Sequence, residues 1–252
     1  MKLTETLPSH AYLILNFDDE TVREIKNKSK AHPLTFGFGI RADIKASDLV
    51  LTKEGTNFKI NYQGNIVPVW LEKLFGKEQI YAGLCAVAVG QVLDLNLVKI
   101  SEALKSYQSP PGKMHLIEGI KHSWLLDNSA STSVFSVTEA LGVLGKIESQ
   151  GRKLAVLGDI LGIGKYTIEA HEAIGERLPK VADLLFTFGS RAKFIAEGAQ
   201  RKGMALEKIF QYDTVESGKI SLQNEIREGD LILIAGIRTE MEKIIKEVML
   251  IQ

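Results

Sequence analysis

The sequence predicts an α/β protein, a Rossmann-like C-terminal domain preceded by a smaller α/β domain, and three observations carry that reading. Strand-length apolar runs alternate with segments of helical period. Runs such as Leu154-Ala155-Val156-Leu157 and Leu231-Ile232-Leu233-Ile234 have no polar face, as strands covered on both sides of a parallel sheet do not. Finally, Ser109-Pro110-Pro111-Gly112 breaks the chain sharply, because proline cannot continue a helix and forces its predecessor to extend. That punctuation places a boundary between domains 1–109 and 110–252.

In order along the chain, Tyr12-Leu13-Ile14-Leu15 reads as a short buried strand. Asp18 and Asp19 can cap a helix running through Val22 and Ile25 to about Lys30. Alternation in Phe58–Tyr62 and Ile66–Trp70, with turns at Gly55 and Gln63-Gly64, predicts a small antiparallel patch. A helix then runs from Lys77 to Leu93, and its Ala/Gly/Val-rich middle predicts packing on both sides. Asn96 caps a second helix carrying Leu97, Ile100, Ala103 and Leu104.

Past the boundary, Met114–Ile117 and Trp124–Leu126 predict a hairpin turning near Gly119, and a helix covers Ser133 to Ser149. Three strand–helix repeats follow, with strands at Lys153–Leu157, Leu184–Phe188 and Leu231–Ile234. Their helices pass through Ile168–Ile174, Ser190–Lys202 and Glu240–Met249. A short strand at Ile209–Gln211 and a helix near 214–226 lie between the last two repeats.

Composition narrows the function. The 252 residues carry 31 Lys+Arg against 31 Asp+Glu. A balanced charge argues against nucleic acid and membrane surfaces as partners, since both select excess positive charge. The single cysteine, Cys85, excludes a disulfide framework and sits in an apolar run that predicts a buried thiol. The first residues have no signal-peptide pattern, which predicts a cytoplasmic protein.

Gly158–Thr167 has the strand-to-helix setting of a phosphate loop but the wrong spacing. Five residues separate Gly158 from Gly164, Tyr166 follows Lys165, and Asp159 sets a carboxylate where phosphate would approach. The five histidines never fall at zinc-ligand spacing, so no metal site is expected. Read alone, His171 is a lone helical histidine, either structural or a ligand.

Several stretches together are similar to the C-terminal portion of the Mur ligase family. Leu15-Asn16-Phe17-Asp18-Asp19 resembles its N-x-D-D segment, and Gly76–Ala82 stands where G-[KR]-H-N-x-x-N would. Pro111-Gly112-Lys113-Met114 resembles its G-R-M hinge. Leu157–Leu161 with His171 resembles L-G-D-M-x-E-L-G…H, and Gly229-Asp230 through Arg238 and Met241-Glu242 resembles G-D-x-[VI]-L-x-K-G-S-R…M-E.

The resemblance implies ATP- and magnesium-dependent phosphorylation of a peptide carboxylate, then attack by an amine, in a site closed by domain movement. It implies UDP-muramyl peptide and D-Ala-D-Ala as ligands in peptidoglycan synthesis. It assigns Lys113, Asp127 and Asn128 to a nucleotide-binding remnant, and Asp159, His171 and Arg238 to the substrate side; the plainer reading of Lys113 and Asp127 is a hinge lysine and a strand-end aspartate, and that of Asp159 and His171 is that they shape the loop. Arg238 meets an anionic peptide or is simply exposed. No catalytic residue is assigned.

Departures from the pattern make catalysis and ATP binding by this chain doubtful. Neither the family's UDP-binding domain nor its P-loop half lies within the 252 residues, so the first domain is expected to be a truncated remnant. H-N-x-x-N reads Glu78-Gln79-Ile80-Tyr81-Ala82, and the hinge Arg is Lys113, which lacks the bidentate fork. D-D-x-Y-N reads Asp127-Asn128-Ser129-Ala130-Ser131, E-L-G reads Gly162-Ile163-Gly164, and the late Lys and Ser become Ala235 and Ile237. The expectation is a degenerate, pseudoenzyme-like ligase, not competent alone. The alternatives are a peptide- or partner-binding module, or one half of a split or truncated ligase whose P-loop half is encoded separately.

Overall fold

The computed structural model describes residues 2–130 and 133–250 and divides into two compact units, Met1–Gln108 and Ser109–Gln252. No described helix is long and apolar enough to cross a membrane.

The first unit opens with a helical turn, α1 (Lys2–Glu5), and builds one five-stranded sheet in sequence order: β1 (Tyr12–Asn16), β2 (His32–Gly37), β3 (Ile44–Thr52), β4 (Gly55–Tyr62) and β5 (Asn65–Glu72). The crossover between the parallel strands β1 and β2 is α2 (Glu20–Glu24) with a 3-10 turn at Ile25–Lys28. Only Asp19 caps this helix, accepting from Val22 N–H at 3.0 Å, and the helical segment is shorter than the sequence suggests.

The antiparallel patch is real, but it belongs to a mixed sheet, since β2 pairs parallel with the start of β3. So short a connection is unusual between parallel strands. Here β3 runs on past the end of β2, and Asp43 fixes the return by accepting from Thr35 N–H and Oγ at 2.8 and 2.6 Å. Gln63 and Gly64 both take positive φ, as a two-residue hairpin requires.

Helices α3 (Lys77–Val92) and α4 (Leu97–Leu104) cover one sheet face. Ile44, Phe58, Ile60, Leu71, Ile80, Leu84 and Val87 form that core. Packing of α3 on both sides is not found: Ala82, Ala86 and Val89 are exposed. Cys85 beside them is half-buried rather than buried, and burial raises its thiol pKa.

The second unit is a six-stranded sheet in the order β10-β9-β8-β11-β7-β6. Its elements in sequence are β6 (His115–Glu118), β7 (Trp124–Asn128), α5 (Val134–Lys146), β8 (Lys153–Gly158), α6 (Thr167–Gly175), β9 (Leu184–Phe188), α7 (Lys193–Arg201), β10 (Ile209–Tyr212), α8 (Val215–Glu225), β11 (Leu231–Ala235) and α9 (Arg238–Val248). All neighbours are parallel except β6 with β7.

Right-handed crossovers explain the layers. The chain steps one way from β7 through β8 and β9 to β10, which sets α5, α6 and α7 on one face. It then returns to β11, which sets α8 and α9 on the other, over Leu154, Val156, Phe186, Ile232 and Ile234. The β6–β7 turn holds Lys121 and His122 at positive φ. That conformation aims the Lys121 ammonium at the end of α8, where it donates to the carbonyls of Gln223 at 2.7 Å and Ile226 at 3.0 Å.

Candidate functional site

In an open α/β sheet the ligand crevice lies beyond the carboxyl ends of the strands, where neighbouring loops leave for opposite faces. Here that place is β8 beside β11: the chain leaves β8 for α6 and leaves β11 for α9. A cleft of about 250 Å³ opens there, lined by Asp159 after β8, Gly189 and Ser190 after β9, Asp213 and Thr214 after β10, and Ile237 and Glu240 after β11. Thr214 caps α8 by accepting from Ser217 N–H at 3.3 Å, whereas α9 starts without a side-chain cap and keeps its first amides available.

Of the three substrate-side residues read from sequence, the structure brings one to this cleft. The Asp159 carboxylate accepts from Arg191 N–H at 2.9 Å and Ala192 N–H at 2.7 Å, just before α7. It stands where a helix start would otherwise draw an anion. His171 lies under the loop, fully buried. Its Nε2 accepts from Ile160 N–H at 3.1 Å, so the proton is on Nδ1, which donates to the Thr167 carbonyl at 2.6 Å. His171 therefore braces the loop from inside and offers no free nitrogen. Arg238 is exposed and pairs with Glu242 at 2.6 Å.

The near-phosphate loop turns on two glycines. Gly162 and Gly164 take positive φ to turn the chain, and the Lys165 ammonium lies 4.9 Å from the ring centroid of Tyr166.

The three nucleotide-side residues cluster at the end of β7. Asp127 is buried and bridges two backbone amides, Gly112 N–H at 3.1 Å and Ser129 N–H at 3.0 Å. Gly112 has φ 78°, and a Cβ there would sit 2.6 Å from Ala130. The prolyl loop is thus clasped onto the segment that follows β7, with Lys113 half-buried next along the chain. Asn128 is fully buried; its Nδ2 donates to Ser136 Oγ at 3.4 Å, while Oδ1 has no hydrogen-bond partner among the described residues. An orphaned buried acceptor is costly and is the feature here that suits a donor on a ligand. Ser131, the last residue of the motif-like stretch, lies outside the described residues.

In the first unit Asp18 follows the same pattern. Its carboxylate accepts from Phe38 N–H at 2.7 Å, Gly39 N–H at 2.8 Å and Tyr81 Oη at 2.9 Å. A Cβ on Gly37 or Gly39 would collide with it. Gln79, where the motif would have asparagine, is buried and accepts from Tyr107 Oη at 3.1 Å.

Nucleotide and magnesium fit these residues unequally. Asn128 Oδ1 suits a base or ribose donor. For the metal, Asp18, Asp127 and Asp159 all already serve backbone donors, and among the described residues no three His, Cys, Asp or Glu side chains converge to hold a cation. Magnesium does not fit these residues.

Sequence reasoning missed Ser190, Asp213, Thr214 and Glu240. The available signal was position: the cleft-lining residues follow predicted strand ends or open the last helix, where a doubly wound sheet collects its ligands.

Comparison with known proteins follows the same division. The Mur ligase middle domain matches residues 1–90, and the Mur ligase glutamate ligase domain matches residues 112–238. The UDP-N-acetylmuramoyl-tripeptide–D-alanyl-D-alanine ligase of Bacillus subtilis is 25% identical over 225 residues, covering 88% of this chain and 48% of that protein. The Escherichia coli ligase of the same name is 30% identical over 207 residues, covering 81% of this chain and 44% of that protein. Among solved structures, MurF from Acinetobacter baumannii superposes with a TM-score of 0.81 at 23% identity, over 96% of this chain and 52% of that one. MurF from Thermotoga maritima in complex with ADP gives 0.80 at 21% identity, over 98% and 55%. The chain spans about half the length of the relatives it matches.

Proposed function

The chain belongs to the Mur ligase family, and on that premise we propose that it serves peptidoglycan synthesis as a D-Ala-D-Ala-ligase-like segment that binds peptide ligands but does not turn over ATP alone. The observation that carries this reading is the engagement of Asp18, Asp127 and Asp159 by neighbouring backbone amides. Phosphoryl transfer depends on fixed positive charge and metal-binding carboxylates around the phosphates. Here the carboxylates at motif-matching positions hold loops in place.

The cleft after β8–β11 supports ligand binding. It pairs acidic groups, Asp213 and Glu240, with the uncapped start of α9. A D-Ala-D-Ala dipeptide carries both an ammonium and a carboxylate, so the acidic side suits its amine and the helix start its carboxylate.

A thermal-shift titration tests the reading. D-Ala-D-Ala or UDP-N-acetylmuramoyl-tripeptide should stabilise the chain, by about 2.7 kcal/mol at a hundredfold excess over the dissociation constant. Asp213→Asn with Glu240→Gln should remove most of that gain. Absence of stabilisation by both ligands would overturn the binding claim.

A second reading is a split ligase, in which a separately encoded P-loop half works with the middle- and C-terminal-domain segments matched here. Phosphate release that appears only on mixing the two halves would select it.

A further inference from the structure

From Gln79 to Leu93 helix α3 and its cap carry no charged residue, although one face is open to solvent. On that face lie Ala82, Ala86, Val89 and Leu93, spaced by four, three and four residues, the spacing of a two-heptad packing seam. Val89 is 45% exposed and Leu93 64%, and Leu95 and Val98 extend the patch at 52% and 51%. A helix apolar on all sides is ordinarily covered on all sides.

We propose that this seam is a contact between two copies of the chain, with α3 antiparallel to its counterpart about a two-fold axis midway between Ala86 and Val89. The residue sizes favour this occupant. The two-fold sets Ala82 against Leu93 of the second copy and Ala86 against Val89, so each large side chain meets a small one, as close packing of two helices requires. Charge favours it as well. Glu78 stands at one end of the seam and Lys99, at the start of α4, at the other; neither has an ion-pair partner among the described residues. The antiparallel arrangement brings Glu78 of one copy toward Lys99 of the other, and such an isologous contact forms twice. The seam is much smaller than the ~20–30 residues a side of a standard interface, so the dimer is a weak one.

Sedimentation equilibrium of the full chain across the micromolar range tests this. Wild type should move from monomer toward dimer. Leu93→Glu, at an exposed site, should raise the dissociation constant at least about tenfold with an unchanged circular dichroism melt. Glu78→Lys should weaken association several-fold, and adding Lys99→Glu to it should restore the wild-type value. A monomer throughout that range, or a dimer indifferent to Leu93→Glu, would overturn the proposal. So would a seam that binds a separate P-loop half in place of a second copy.

Discussion

Asp127 separates two roles that the sequence leaves open, ligand contact and loop clasp. Its buried carboxylate accepts from Gly112 N–H and Ser129 N–H at 3.1 and 3.0 Å. Asp127→Ala leaves both amides without an acceptor. Hydrogen bonds to a charged group contribute about 1.5–3 kcal/mol each, and some relaxation of the loop offsets the loss, so the expected destabilisation is about 2–4 kcal/mol. Asp127→Asn keeps one acceptor oxygen and should lose about half as much. Urea unfolding followed by fluorescence reads the effect, because Trp124 lies on β7 in the second unit while Trp70 lies on β5 in the first. In a Trp70→Phe background the signal reports the second unit alone, and its midpoint should fall with an unchanged slope. A change below about 0.5 kcal/mol in Asp127→Ala would refute the clasp. If that variant also lost nucleotide binding, the carboxylate would be a ligand contact instead.

Three further outcomes follow. His171→Ala removes the acceptor for Ile160 N–H and opens a cavity under the cleft loop, so chemical denaturation should show a loss of about 3 kcal/mol. Asp230 is buried and receives Arg152 Nη2 at 2.8 Å as well as the amides of Arg152 and Arg227. Arg152 is part-exposed and keeps the Glu225 carbonyl at 2.6 Å, so the loss falls mainly on the two amides, and Asp230→Ala should cost about 2–4 kcal/mol, measured the same way. Burial raises the Cys85 thiol pKa, which keeps it protonated below its raised pKa and leaves little thiolate. Alkylation of Cys85 at pH 8 should run slower than that of a free thiol and accelerate as pH rises further; a rate equal to free cysteine at pH 8 would contradict this.

The architecture was largely legible because the strands of the second unit are continuous apolar runs, and period alone identifies those. The first unit was less so. His32–Gly37 ends in three consecutive buried residues and so shows no alternation, and in Ile44–Thr52 the alternation breaks where the register slips between Ser47 and Val50. Their pairing depends on the Thr35–Asp43 contact, which no local pattern announces. The apolar character of α3 was misleading: composition predicts cover on both sides, but composition does not say what supplies it.

For the site, motif resemblance found Asp127, Asn128 and Asp159 and left ligand contact and loop shaping both open for the two aspartates. A carboxylate engaged by neighbouring amides and one waiting for a ligand have the same letter in the sequence. What distinguishes them is where loops distant along the chain, such as Arg191–Ala192 for Asp159, come to rest. Asp213, Thr214 and Glu240 carry no motif, and only the order of strands in the sheet gathers them.

Phosphate release by the purified chain, supplied with Mg-ATP, UDP-N-acetylmuramoyl-tripeptide and D-Ala-D-Ala together, tests the central claim most directly. No release above the protein-free rate is predicted. Release that requires both peptide substrates and disappears in Asp127→Ala would contradict the account.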